Sequence, residues 1–168
     1  MIFEFKQWTM KKILIAVDYD PAAQKIVETG YALAKSMNAG VILLHVTSDA
    51  AYYSSLNYSS IMGFDSFSNL DFIQPEIAGE LEKAAQEYLE KSKQHLGDET
   101  IETVVKAGDF GDGILEAATE MNVDVIVMGT HTRRGLDKLL MGSVAEKVLH
   151  HSSIPLFIIP TKSFEEKK

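Results

Sequence analysis

The sequence predicts an α/β fold: a single doubly wound layer in which a five-stranded parallel sheet is covered by helices on both faces. Three observations predict it. Short runs of nearly continuous apolar, mostly β-branched residues recur along the chain, as in strands buried on both faces. Between them, apolar residues fall three and four apart, the spacing of helices with one buried stripe. The two patterns alternate, and alternation with right-handed crossovers leads to a parallel sheet.

The first strand is Ile13, Leu14, Ile15, Ala16 and Val17, ending in Asp18, Tyr19 and Asp20. Asp20 and Pro21 open the first helix, a capping carboxylate followed by proline at the first helical position. Its stripe is Ala22, Ala23, Ile26, Val27, Leu33, Ala34 and Met37. The second strand is residues 41–44. Residues 47–74 form too long a connection for an ordinary loop and hold six of the fifteen aromatic residues; such segments serve as lids, arms or mobile elements. A second helix carries Ile77, Leu81, Ala84, Ala85, Tyr88 and Leu89, and residues 101–105, with polar positions, read as an edge strand.

Residues 108–113 are rich in turn formers, with Asp109 and Asp112 placed to cap a third helix carrying Ile114, Leu115, Ala118 and Met121. The fourth strand, 123–128, runs into a glycine-bearing loop from Gly129 to Gly135 and a short amphipathic piece with Leu136, Leu139 and Leu140. Gly142 and Ser143 then open a helix with Val144, Ala145, Val148 and Leu149, and 154–159 is the last strand. Residues 1–9, before Met10, read as an N-terminal extension, 10–161 as the domain and 162–168 as a charged tail.

Composition narrows the function. With 168 residues the chain is long enough for one core, and with no cysteine it cannot build thiolate, iron–sulfur or zinc-finger chemistry. Sixteen basic against 24 acidic residues, a net charge of -8, argue against nucleic-acid binding, which needs a basic face. No run of about 18 apolar residues predicts a membrane span, and the first residues lack a signal-peptide pattern. The expected location is the cytoplasm.

In open α/β sheets, ligands bind at the carboxyl ends of strands where the strand order reverses. If the first and fourth strands are neighbours there, Asp18 and Gly129 face one crevice. The helix opening at Gly142 and Ser143 suits an anion, because first-turn amides are unpaired and glycine allows close approach. Ser143 could donate to a phosphate oxygen, with Arg133, Arg134 and Lys138 adding local positive charge. The same residues also spell a capping box, in which Ser143 and Glu146 satisfy the helix itself.

Other signals carry less. The triplet Asp109, Phe110 and Gly111 lacks the loops of a kinase, and Asp109 with Asp112 offers too few oxygens for calcium. His150 and His151 are adjacent on a helix and cannot share a metal. His131, inside the glycine loop, has no Ser or Asp partner placed by the sequence. Asn57 heads a glycosylation sequon without a secretory route.

From Met10 to Pro160 the chain resembles the universal stress protein family. Lys12 to Asp18 looks like its first strand and acidic end, 41–46 like its second, and Gly129 to Ser143 like its nucleotide signature: a glycine, two residues, a second glycine, nine residues, then glycine and serine or threonine. Gly129, Gly142 and Ser143 match, and Thr132 stands at the second glycine. The resemblance implies a Rossmann-like fold of the adenine-nucleotide-binding type, with Asp18 and the Val41 backbone at the adenosine end. Gly129, Gly142, Ser143 and Val144 would surround ribose and phosphates, and Val17, Met128, Thr132 and Arg133 complete the expected set. Thr132 either obstructs the phosphates or contributes a hydroxyl that glycine lacks.

The implied ligand is ATP or AMP, with Mg2+ held through the phosphates and at most an acidic contact from Asp18 or Asp20. The implied assembly is a homodimer through antiparallel pairing of the last strand, Ile154 to Pro160. The expected function is a cytoplasmic stress-response protein with ATP as regulatory ligand and at most weak hydrolysis. The alternatives are a nucleotide-free dimeric interaction module and, behind it, a slow adenine-nucleotide hydrolase.

Overall fold

The computed structural model describes residues 11–20, 22–48, 74–130 and 141–161, the side chains of 74–77 excepted. In chain order the elements are β1 (Lys12–Ala16), α1 (Ala23–Ser36), β2 (Gly40–Thr47), α2 (Gln74–Leu96), β3 (Glu102–Ala107), α3 (Phe110–Glu120), β4 (Val125–Thr130), α4 (Ser143–His151) and β5 (Leu156–Pro160). The five strands form one sheet in the order β3-β2-β1-β4-β5, every pair parallel.

Alternation of side chains across the pleat divides the core in two. Ile13, Ile15, Val17, Val41, Leu43 and Val127 face one way, packed with Ile26 and Val27 of α1 and Leu89 of α2. Leu14, Ile42, Leu44, Val46, Ile126 and Met128 face the other, against Ile114 and Ala117 of α3 and Ala145 and Val148 of α4. Each such side chain fully buried contributes roughly 1.5–3 kcal/mol, which explains why these strands carry apolar residues on both faces.

The strands differ from their expected limits for identifiable reasons. β2 runs to Thr47 rather than stopping at Leu44, because its polar residues His45 and Thr47 are buried, with His45 Nδ1 and Thr47 Oγ1 each bonded to a backbone carbonyl. β4 starts two residues late, since the Asp124 carboxylate accepts from Lys11 and Lys12 amides at 2.7 and 3.0 Å. α2 extends well beyond the expected stripe, to Leu96. The expected edge strand, here β3, is an edge, and so is β5.

Asp109 caps α3 as expected, its carboxylate accepting from the Asp112 amide at 3.0 Å. At α1 the expectation is met only in part. Asp20 accepts from the Ala22 amide at 2.8 Å, but the N-cap is Ala22, with no side-chain cap; Pro21 lies outside the described residues. The extension 1–9, most of the aromatic segment and the tail 162–168 also lie outside them. No helix among the described residues is long and apolar enough to cross a membrane.

Candidate functional site

The chain reverses its direction of winding between β1 and β4. From β1 it passes through α1 to β2 on one side, and it returns through α3 to β4 on the other. The two strands lie side by side, with Ile15 opposite Val127, so Val17 and Gly129, each two residues further on, stand at the same carboxyl edge. A crevice at that edge is where this class of sheet binds ligands.

One wall is the turn after β1. The buried Val17 donates its amide to the Leu44 carbonyl at 2.9 Å. Asp18 is exposed, and its carboxylate accepts from the Asp20 amide at 3.2 Å. Its own carbonyl accepts from the Tyr88 hydroxyl of α2 at 2.9 Å. The Tyr19 ring packs over His45 with centroids 4.4 Å apart and meets Tyr88 edge-on at 5.0 Å.

The opposite wall starts from β4. Met128 is buried in the α3 and α4 face. A Cβ on Gly129 would overlap Ile26 Cδ1 and stand 3.0 Å from Thr161 Cγ2, so this glycine lets α1 and the end of β5 close on β4. Thr161 fixes that closure: its amide donates to Thr130 Oγ1 at 3.2 Å and its hydroxyl to the Thr130 carbonyl.

The third wall is the start of α4. The N-cap is Gly142, with φ -59° and ψ 153° and no side-chain cap, and Ser143 is the first helical residue. The capping box therefore does not form, because Ser143 sits one position too late to cap. Glu146 instead donates its amide to the Gly142 carbonyl at 2.9 Å. The helix start is backbone alone, and Ser143 is exposed. Val144 packs against the core below. Lys147, one turn on, is bound to Asp109 at 2.9 Å and Asp112 at 2.8 Å, which raises its pKa and lowers that of Asp109.

Val17, Asp18, Met128, Gly129, Gly142, Ser143 and Val144 thus belong to elements that end or begin at one edge of the sheet. Val41 does not. It pairs with Ile13 at the amino end of β2, about 13 Å of strand from His45 at the crevice end, and its expected place beside the adenosine is corrected accordingly. Thr132 and Arg133, with His131, Arg134 and Lys138, lie outside the described residues. Among the described residues no three His, Asp or Glu side chains are grouped to hold a metal.

His45 carries no motif in the sequence, and Tyr88 reads there only as part of a helix stripe. The available signal was a histidine within the apolar run of β2, close to its carboxyl end.

Comparisons with known proteins agree with this architecture. Residues 9–160 match the model of the universal stress protein family. Universal stress protein A of Escherichia coli is 30% identical over 156 residues, which cover 93% of this chain and 98% of that protein. Among solved structures, the universal stress protein UspA of Lactobacillus plantarum superposes with a TM-score of 0.70 at 20% identity, over 90% of this chain and 99% of that one. A universal stress protein solved in complex with cAMP gives 0.56 at 19% identity, over 90% and 98%. With the family pattern running through all five strands and a relative aligned over nearly its whole length, the chain belongs to the universal stress protein family.

Proposed function

We propose that this chain binds an adenine nucleotide, ATP, as a regulatory ligand in the crevice between the β1 turn and the start of α4. One observation carries the reading: α4 begins behind Gly142 with no side-chain cap, at the carboxyl edge where β1 and β4 meet. Unpaired first-turn amides with the partial positive charge of a helix start suit a phosphate. Asp18, exposed on the facing turn, suits a ribose hydroxyl. The relative solved with cAMP supports the ligand class.

Mg2+ would be held through the phosphates. ATP acts here as a ligand, with at most weak hydrolysis, in a cytoplasmic stress response. The proposed assembly is a homodimer through β5, an edge strand whose Phe157 is 39% exposed. An apolar edge in water invites pairing, and a symmetry mate would cover it.

The test is to denature the purified protein, identify any released small molecule by mass spectrometry, and titrate the emptied protein with ATP and Mg2+ by calorimetry. Released ATP or AMP, or saturable binding lost in Gly142→Val, is the expected result. An empty protein that also refuses ATP would overturn the reading and leave a dimeric interaction module of the same fold.

A further inference from the structure

His45 is a buried ionisable side chain that neither the core nor the phosphate cradle accounts for. It stands near the carboxyl end of β2, 2% exposed, beside the turn that carries Asp18. Its Nδ1 lies 2.8 Å from the Val17 carbonyl oxygen. A carbonyl only accepts, so Nδ1 carries the proton and donates, and in the neutral ring Nε2 is left as a bare acceptor. That Nε2 is buried and has no hydrogen-bond partner among the described residues.

The ring and its neighbours hold three consecutive residues of the turn. Val17 is held through its carbonyl by His45, and Asp18 through its carbonyl by the Tyr88 hydroxyl. Tyr19 is held by its ring, which lies against both His45 and Tyr88. The His45 and Tyr88 rings are themselves edge to face at 6.2 Å. This clamp comes from β2 and α2, outside the glycine signature altogether.

We propose that His45 is a positioning residue for the nucleotide site: its neutral imidazole clamps the β1 turn in the shape that presents Asp18, and protonation in mild acid releases the turn and weakens nucleotide binding. The proposal rests on the nucleotide reading above. A second N–H at Nε2 would bring a donor and a charge to a buried atom for which the described residues supply no acceptor, the costly case for a buried polar group.

Among the described residues, the titratable groups facing the ring are Asp18 and Tyr19 on the β1 turn and Tyr88 on α2; β3 places Val105 beside it. Burial pushes the imidazole below its ordinary value, against the smaller opposing pull of the Val17 carbonyl and the Asp18 charge. The direction fixes the sign. As pH falls past about 6.5 the unfolded chain takes up its proton first, so the clamp's stabilisation is complete above that value. It is lost progressively below it, until the folded ring protonates and the turn is released.

The experiment uses the full chain and ATP with Mg2+. NMR follows the His45 ring and the backbone amides of residues 18–20 from pH 8 to pH 5, and calorimetry follows ATP affinity over the same range. His45→Asn keeps an N–H donor near the Nδ1 position but does not titrate, so it reports the ligand's own pH dependence. The wild-type amides should move with a single midpoint, that of the His45 ring, below about 6.5. Relative to His45→Asn, wild-type affinity should fall about tenfold for each pH unit below that midpoint, as the competent fraction shrinks.

Amides that stay still while the ring titrates would overturn the proposal, as would identical pH profiles of wild type and His45→Asn. The amide measurement needs no variant and stands even if His45→Asn folds poorly. Failure of ATP to bind at pH 7.5 while the amides follow His45 would remove the nucleotide reading and leave the clamp.

Discussion

Two walls of the crevice, the β1 turn and the start of α4, are built by different means. The β1 turn is held by side chains from two other elements: His45 on the Val17 carbonyl, Tyr88 on the Asp18 carbonyl, and the Tyr19 ring packed between them. The start of α4 is backbone, with Gly142 as N-cap and no side-chain cap. A wall made of side chains can be tuned by single substitutions and by pH, because each contact belongs to an identifiable group. A wall made of amides is insensitive to most side chains and vulnerable mainly to loss of space.

Substitutions that add bulk to the backbone wall give the largest effect. Gly142→Val should abolish ATP binding, a loss of at least about 100-fold in calorimetry, or roughly 2.7 kcal/mol. The fold should survive, because the φ of -59° at Gly142 is open to any residue. An unchanged affinity would show that the crevice does not use this helix start.

Next in size is Gly129→Ala, which tests packing rather than ligand contact. Its new Cβ meets Ile26 Cδ1, and overpacking of this kind costs about 1–3 kcal/mol in denaturant unfolding. Ile26→Val removes that atom, so the double variant should recover part of the loss, a coupling of about 1 kcal/mol. Strict additivity would mean the glycine serves something other than the approach of α1.

On the side-chain wall, Tyr88→Phe removes only the hydroxyl that holds the Asp18 carbonyl. About 1 kcal/mol of stability should go with it, together with a loss of ATP affinity of the same order. The effect should vanish in a His45→Phe background if the two residues act through one clamp. The smallest effect belongs to Ser143→Ala. Loss of a capping serine costs about 1 kcal/mol, but Ser143 follows the cap, so thermal unfolding should barely change. A full capping-sized loss would show that the box forms in solution.

Much of this was legible in advance. The doubly wound sheet, the neighbouring β1 and β4, the β3 edge and the Asp109 cap all follow from runs and spacings whose physics is local. Three features were not. The apolar run of the second strand ends at Leu44, and only a central strand with partners on both sides buries the polar His45 and Thr47 that continue it. The Ser143 and Glu146 spacing fits both a capping box and an open helix start, and one residue of helix phase separates the two. The family resemblance points to Val41 at the adenosine end, but Val41 lies at the start of its strand, and parallel strands place all their beginnings at the opposite edge.

By itself the sequence determined the class of fold, the order of its elements and the glycine signature of a universal stress protein, because hydrophobic period and turn chemistry act over a few residues at a time. The tertiary structure decided where the walls of the crevice lie and what holds them. Val17 and His45 are 28 residues apart in the chain and 2.8 Å apart at the contact, and Asp18 and Tyr88 are 70 apart and meet at 2.9 Å. Contacts of that separation form only when strand pairing and helix packing bring distant segments to one edge of the sheet, and no local pattern encodes them.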